Sequence, residues 1–573
     1  MNALTYTAAI HSGRVQLVSL RQKSLTVARL RVLLVAAVFV AMAMAAIVRI
    51  GFLGVTGSGR AVTSFEDALL PSRGEITDRN GEPLARAFPA FALWYNPEAL
   101  GEDNPLVRSP QAVAKELAAI FPDIDETELA DRLAKGKAGY LRRRVLPEEA
   151  NKVQAIGELA LELPKETDRH YPQGSLGAHV LGYVGADGHG RVGMEAVLDK
   201  QLLDPATRGQ PIPLSIDVRV QGALEDELTR GMRATNALGS AGIVLDVDTG
   251  EVLALASLPE FDPNHIDKAG VANMFNRVTN QVYELGSTFK PLTVAAAIDA
   301  GTITDLGRRY SARPYPLSGY TIKDSHDLGA SLNTPEMLMH SSNVVTGHIV
   351  ADLGTKRLKK VLVDLGMNER PHIELPAKGF PLWVGGDWPL LRGVTVGYGH
   401  GIAVTPLHLA SAYAAMVNGG VWRPATMHKV EPGKAPKGRR VFKASTSAKM
   451  NQMLRMIVTY GTGRKANAPG FRVGGKTGSA DKPAGGGYNR TSVVATFAAA
   501  FPMDRPRYVV IAMLDEPKGT VASSFQRTAA WNAAPVVGRL VPRIGPILGV
   551  APDSSRDVDL SDLAPLVPQS KKP

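Results

Sequence analysis

The chain has 573 residues, 45% hydrophobic and 21% charged, the proportions of a globular protein with material for three or four domains. Its net charge of +11 matters less than its placement: residues 1–31 hold Arg14, Arg21, Lys23, Arg29 and Arg31 and no acidic residue. Cysteine is absent, which excludes a disulfide framework, thiolate metal sites and a cysteine nucleophile.

Residues 32–48 are apolar without a break and span about 25 Å as a helix, with Arg31 and Arg49 placed to snorkel at the two ends. The small-residue patterns Ala41-Met42-Ala43 and Ala43-Met44-Ala45 lie inside this run rather than after it, so a retained anchor is expected in place of a cleaved signal peptide. The basic side of an anchor faces the cytoplasm, which puts everything after residue 55 across the membrane. Residues 72–85 read as a hairpin turning at Asn80-Gly81, with Arg73 and Asp78 expected to form a structural ion pair. Residues 108–165 read as amphipathic helix, with Val113, Leu117 and Ile120 and then Leu129 and Leu133 at helical spacing. His170, His179 and His189 match no zinc spacing. These segments make a noncatalytic domain over residues 60–213.

A second domain begins at residue 214. Residues 218–228 have a helical pattern, and residues 242–257 read as strand, turn, strand about Asp248-Thr249-Gly250. Next, Gly286-Ser287-Thr288-Phe289-Lys290-Pro291 opens a helix in which proline costs nothing at the first turn. Ser287 and Lys290 are three apart and share a helical face at an N-terminus that favours developing negative charge. A desolvated lysine can take the proton that makes a serine nucleophilic. Ser341 and Asn343 fall between two short helices, where a hydroxyl can relay protons and an amide can hold a carbonyl. Lys476, Thr477 and Ser479 sit in a Gly-rich stretch before two strong strands, the expected edge of an antiparallel sheet. There Gly474, Gly475 and Gly478 are expected to let another backbone approach, such as an extended peptide adding as one more strand. Each of these elements is weak alone.

In the order S-x-x-K, S-x-N, K-T-G they resemble the penicillin-interacting serine enzymes. The sequence is similar to class B penicillin-binding proteins, most closely the division-specific (FtsI-type) transpeptidases. That resemblance also rests on Arg73-Gly74 through Asn80-Gly81, on Ala178-His179, on Gly193-Met194-Glu195 and on residues 397–410. It implies an acylated nucleophile at Ser287, a base at Lys290, a proton relay at Ser341 and a substrate holder at Asn343. It implies a carboxylate site at Lys476, Thr477 and Ser479, and an oxyanion hole from the N–H groups of Ser287 and Ser479. Leu285, Ser479 and Met194 depart from the commoner proline, threonine and branched aliphatic of that pattern, and none of the three removes a reacting group.

The implied reaction is cross-linking of peptidoglycan stem peptides in the septal wall through a serine acyl-enzyme, with β-lactams as inhibitors and no metal or organic cofactor. The implied partners are a polytopic glycan polymerase of the FtsW kind and other division proteins. The implied place is the inner membrane at the division septum, with the N-terminus cytoplasmic and the catalytic domain periplasmic. No nucleic-acid arm is expected. An elongation-type class B transpeptidase shares the three motifs, but residues 322–326 and Glu284 look more like the division type. A β-lactamase would be smaller, a penicillin-binding sensor would be expected to carry several membrane spans and a cytoplasmic effector domain, and intact Lys290, Ser341, Asn343 and Lys476 argue against a division scaffold with a vestigial serine. The expected fold class is α+β: a cytoplasmic basic tail over 1–29, an anchor over 30–52, a pedestal domain over 60–213, a helix-covered antiparallel sheet in a transpeptidase domain over 214–548, and a flexible tail over 549–573.

Overall fold

The computed structural model describes residues 6–11, 14–56, 70–100, 106–266, 269–484 and 487–567. The chain divides into two compact units, 1–70 and 71–573. In the first, strands β1 (Tyr6–His11) and β2 (Arg14–Ser19) form an antiparallel pair. Helix α1 (Leu20–Thr56) follows, and its segment Val27–Met44 is long and apolar enough to cross a membrane. Those side chains are exposed, with no protein packed on them.

The second unit starts with a sheet of β3 (Ile76–Thr77), β4 (Pro83–Tyr95), β5 (Gly139–Val145), β6 (Leu161–Glu162), β7 (Lys165–His170) and β8 (Ile212–Pro213), in which β4 pairs with β3, β5, β6 and β7. Helices α2 (Pro110–Ile120), α3 (Glu126–Ala134) and α4 (Pro147–Ile156) pack with it around a core that includes Leu93, Tyr95, Val113, Leu117 and Val153. Residues 108–165 are therefore not helix throughout: β5 interrupts them, because its backbone completes hydrogen bonds along β4.

Arg73 and Asp78 do not pair. Arg73 reaches Glu195 at 2.7 Å and Asp199 at 2.7 Å, and Arg169 holds the other oxygen of the buried Glu195 at 2.6 Å. Asp78 instead accepts the backbone N–H groups of Asn80, Glu82 and Val218. A carboxylate two residues before a turn is closer to its own backbone than to a distant cation. The three histidines lie apart. His179 is buried with its Nε2 2.7 Å from the Asn273 carbonyl, His189 contacts Asp199, and His170 packs beside Phe88.

Beyond β8 the chain enters the larger part through helix α5 (Val218–Thr235). A five-stranded antiparallel sheet follows the order β10 (Val252–Leu258), β9 (Gly239–Asp246), β13 (Tyr508–Asp515), β12 (Gly487–Phe501), β11 (Gly474–Ala484). Alternate residues of β9 serve different cores, Ile243 and Leu245 on one face and Val244 on the other, so the sheet is covered on both sides. Helix α5 and α11 (Ala533–Ile547) cover the Val244 face. On the other lie α6 (Lys290–Asp299), α7 (Thr334–His340), α8 (Asn343–Leu353), α9 (Pro406–Val417) and α10 (Ala444–Tyr460).

Residues 549–567 are docked rather than loose. Asp557 pairs with Arg455 at 2.6 Å, Asn333 donates to the Leu566 carbonyl at 2.5 Å, and Leu563 and Val567 are buried. The Asp, Ser and Pro that suggested disorder hide a few apolar anchors with waiting sites. Residues 568–573 of the expected tail lie outside the described residues.

Candidate active site

The three motifs come from separate elements and meet at one hydroxyl. Ser287 lies in a single tight turn, Gly286–Phe289, that runs directly into α6. Every residue of α6 from Lys290 to Ile298 is buried, so the helix is fixed all round and Lys290 enters the interior at its first turn. Ser287 itself stays partly exposed. Ser341 caps the C-terminus of α7 in the left-handed region, at φ 63°, and Ser342 caps the N-terminus of α8 through its hydroxyl, 3.1 Å from the Val345 N–H.

Lys290 Nζ donates to the carbonyl of Ser341 and, at 3.1 Å, to its Oγ. Lys476 Nζ, on the edge strand β11, donates to the same Oγ at 3.0 Å. A hydroxyl that accepts from two lysines keeps its own hydrogen to donate. Both lysines are fully buried. Burial, and secondarily the charge of Lys476, holds Lys290 well below the ordinary lysine range, with Asp324 pulling the other way. Burial alone brings Lys476 down to about 7. An amine that is neutral near pH 7 can accept a proton, which an exposed lysine cannot.

Thr477 and Ser479 follow on β11. The Thr477 hydroxyl meets that of Thr462 at 3.0 Å, and Ser479 Oγ accepts the Ala529 N–H at 2.9 Å. The Ser479 hydroxyl thus ties the strand to the segment before α11 while keeping its own hydrogen. The glycines here make room for this chain's own backbone. A Cβ on Gly478 would stand 2.4 Å from the Leu285 carbonyl oxygen, and one on Gly475 2.5 Å from that of Ala498. The expected entering peptide is not what they accommodate.

Asn343 is less integrated than its motif suggests: its side chain donates to the Lys323 carbonyl at 3.3 Å and lines a cavity of about 470 Å³ with Lys323, Arg392 and Tyr398. What fixes this loop is Asp324, whose carboxylate accepts the Ser342 hydroxyl at 2.6 Å, the Asn343 N–H, and the Val344 N–H at 3.2 Å. Sequence reasoning gave Asp324 no role, and its eighteen-residue separation from Ser342 leaves no local signal. Thr462, inside the run Gly461-Thr462-Gly463, likewise carries no local signal for its contact with Thr477. A second overlooked contact braces the nucleophile turn: Gly286 N–H donates to the Gly399 carbonyl at 3.1 Å, and Glu284 accepts the Gly401 N–H at 2.8 Å.

Residues 240–537 match the penicillin binding protein transpeptidase domain, and residues 68–243 match the penicillin-binding protein dimerisation domain. The chain is 38% identical over 493 residues to a probable peptidoglycan D,D-transpeptidase FtsI of Caulobacter vibrioides, covering 84% of this chain and 82% of the relative. It is 28% identical over 507 residues to the peptidoglycan D,D-transpeptidase FtsI of Escherichia coli, covering 84% and 85%. Among solved structures, penicillin binding protein 3 of Mycobacterium tuberculosis complexed with aztreonam superposes with a TM-score of 0.66 at 25% identity, over 84% of this chain and 98% of that one. Matched by sequence and by fold across both its pedestal and its five-stranded sheet, this chain belongs to the penicillin-binding protein family of transpeptidases.

Proposed function

We propose that Ser287 is the acylated nucleophile of this protein, a division-type peptidoglycan D,D-transpeptidase, and that the groups around it carry the proton traffic. The observation that carries this reading is the convergence of two buried lysines from different motifs on the Ser341 hydroxyl. Neutral Lys290 takes the Ser287 proton as Oγ attacks the carbonyl carbon of the D-Ala-D-Ala bond. The oxyanion rests on the N–H groups of Ser287 and Ser479. The C–N bond breaks, and the proton passes from Lys290 through Ser341 to the departing D-alanine amine. An amine from a neighbouring stem then attacks the ester, the C–O bond to Ser287 breaks, and the proton path runs in reverse.

Lys476, Thr477 and Ser479 hold the terminal carboxylate, and Asn343 holds a stem amide. The same attack opens a β-lactam ring and leaves its acyl group on Ser287. The apolar helix with its basic approach supports a single-pass inner-membrane protein with a cytoplasmic N-terminus and a periplasmic catalytic domain at the septum. There a polytopic glycan polymerase of the FtsW kind would supply the strands to be joined. The test is the mass of the full chain and of its peptides after exposure to a penicillin. A long-lived adduct on the Ser287 peptide, absent from Ser287→Ala, supports the assignment; an adduct on any other residue refutes it.

A further inference from the structure

The pedestal meets the catalytic part through residues 171–181. The Tyr171 backbone exchanges two hydrogen bonds of 3.0 Å with the Asn264 side chain, and the buried His179 reaches the Asn273 carbonyl at 2.7 Å. Between these two contacts, two carboxylates of the catalytic part take hold of the same segment. Glu225, on α5, accepts the Gly177 N–H at 2.9 Å. Glu260, just past β10, accepts the Ser175 hydroxyl at 3.2 Å.

Among the described residues neither carboxylate has a cation partner. Gln221 donates at 2.8 Å to the same Glu225 oxygen that takes Gly177, and it cannot swing away, because the Leu255 N–H and carbonyl hold its amide at 2.8 Å each. Oε2 of Glu260 is closed off from solvent with no partner. The other charged groups at this contact are engaged elsewhere: Arg277 with the Leu258 carbonyl and Gln281, Arg144 with Asp168, and Asp262 with His265. Burial lowers His179 to about 4 and leaves it neutral. Burial raises Glu225 to about 7; the Gly177 N–H and the Gln221 amide pull it down, and the charge of Glu260 pushes it up again. Two nearby carboxylates without a cation do not both ionise freely.

We propose that Glu225 and Glu260 share one proton and with it form a clasp that holds the pedestal to the catalytic part. The proton on Glu225 supplies the donor that Glu260 Oε2 lacks, in a strong O–H···O⁻ hydrogen bond. Glu225 keeps its first oxygen for the Gly177 N–H. When the proton leaves, the two charges repel, and the pedestal segment that they hold between them loosens. An acid whose pKa is raised in the closed form binds its proton more tightly closed than open. The clasp is therefore at full strength below the ordinary glutamate value of 4.5, weakens as the pH rises to about 7, and changes no further above that. On the periplasmic side proposed above, the surrounding pH then sets how firmly the two parts are joined. The clasp itself does not depend on the chemistry at Ser287.

The test is amide hydrogen exchange of the full chain in detergent, read by mass on peptides covering residues 173–182 at about pH 5, 6, 7 and 8 and corrected for the intrinsic rate at each pH. In the wild type the protection of this segment should fall by up to about tenfold per pH unit between about pH 5 and 7 and level off by about pH 8, while peptides from α9 stay constant. Glu225→Gln keeps the acceptor for Gly177 and turns a permanent N–H toward Glu260, so it should hold the acid-form protection across the whole range. Glu260→Gln supplies the missing donor from the other side and should flatten the profile in the same way. Acylation by penicillin at the wild-type rate shows that each variant is folded. Wild-type protection that does not change between pH 5 and 8 after correction, or a fall of wild-type size in both variants, would overturn the clasp.

Discussion

Lys476→Met should make this protein more stable near neutral pH while destroying its activity. Burial lowers the Lys476 ammonium from 10.5 to about 7. At about 1.4 kcal/mol per tenfold, holding a lysine there costs the folded state about 5 kcal/mol wherever folded and unfolded chains are both protonated. Below pH 7 that cost is present in full. Between pH 7 and 10.5 the unfolded chain keeps a proton that the folded chain has lost, so wild-type stability climbs by up to about 1.4 kcal/mol per pH unit. Methionine removes the charge but forfeits bonds to Ser341 Oγ at 3.0 Å, the Thr477 carbonyl at 2.9 Å and Thr477 Oγ1 at 3.3 Å. Those are worth about 1 kcal/mol each. The variant should therefore be more stable by about 2 kcal/mol at pH 7 and less stable above a crossing near pH 8. Scanning calorimetry of the full chain in detergent at pH 6.5, 8 and 9.5 reads this as a change in the sign of the Tm difference. A difference of constant sign and size across that range would refute the reasoning, because it would mean that Lys476 is not a buried ammonium at neutral pH.

Asp324→Asn should slow acylation by penicillin about 30- to 150-fold, since about 2–3 kcal/mol of charged hydrogen bonding leaves the Ser342–Val344 loop. A fluorescent-penicillin rate unchanged beside an unchanged Tm would show that Asp324 does not position the loop. Gly399→Ala should abolish folding of the catalytic part, because its Cβ would lie 2.0 Å from the Gly286 carbonyl oxygen at φ +88°. Gly433→Ala has a similar φ of +79° with nothing within 4 Å, and should lose only about 1 kcal/mol; soluble yield and Tm distinguish the two. Glu195→Gln leaves the buried Arg169 without its carboxylate partner and Arg73 with Asp199 alone, and should cost about 3–5 kcal/mol, read as a lower denaturation midpoint. Ending the chain at residue 548 should lower the Tm of the catalytic part by several degrees, at about 2–4 °C per kcal/mol, through loss of the Arg455–Asp557 pair and the buried Leu563 and Val567. An unchanged Tm would mean that the docked segment adds no stability.

How much of this could be read from the chain depends on the range of each signal. The apolar run, the strand–turn–strand about Asp248-Thr249-Gly250 and the turn at Asn80-Gly81 are local patterns, and the structure places α1, the β9–β10 hairpin and the β3–β4 turn on them. Ser287 and Lys290 announced themselves by spacing on one helix. The strand β5 did not, because its identity depends on a partner, β4, far from it in sequence. Arg73 was visible as a charge, but its partners lie 122 and 126 residues away.

The sequence by itself determined which groups this protein brings to its chemistry: a serine, two lysines, a second serine and an asparagine, in an order that a family shares. Tertiary structure alone decided their state. Lys290 and Lys476 are ordinary cations on paper; only packing from α6 and β11 strips them of water and points both at Ser341. Only the fold brings Asp324 beneath residues 342–344 and sets Glu225 and Glu260 on one pedestal segment. Desolvation and charge pairing act through space, so no property of the residues taken one at a time could have contained them.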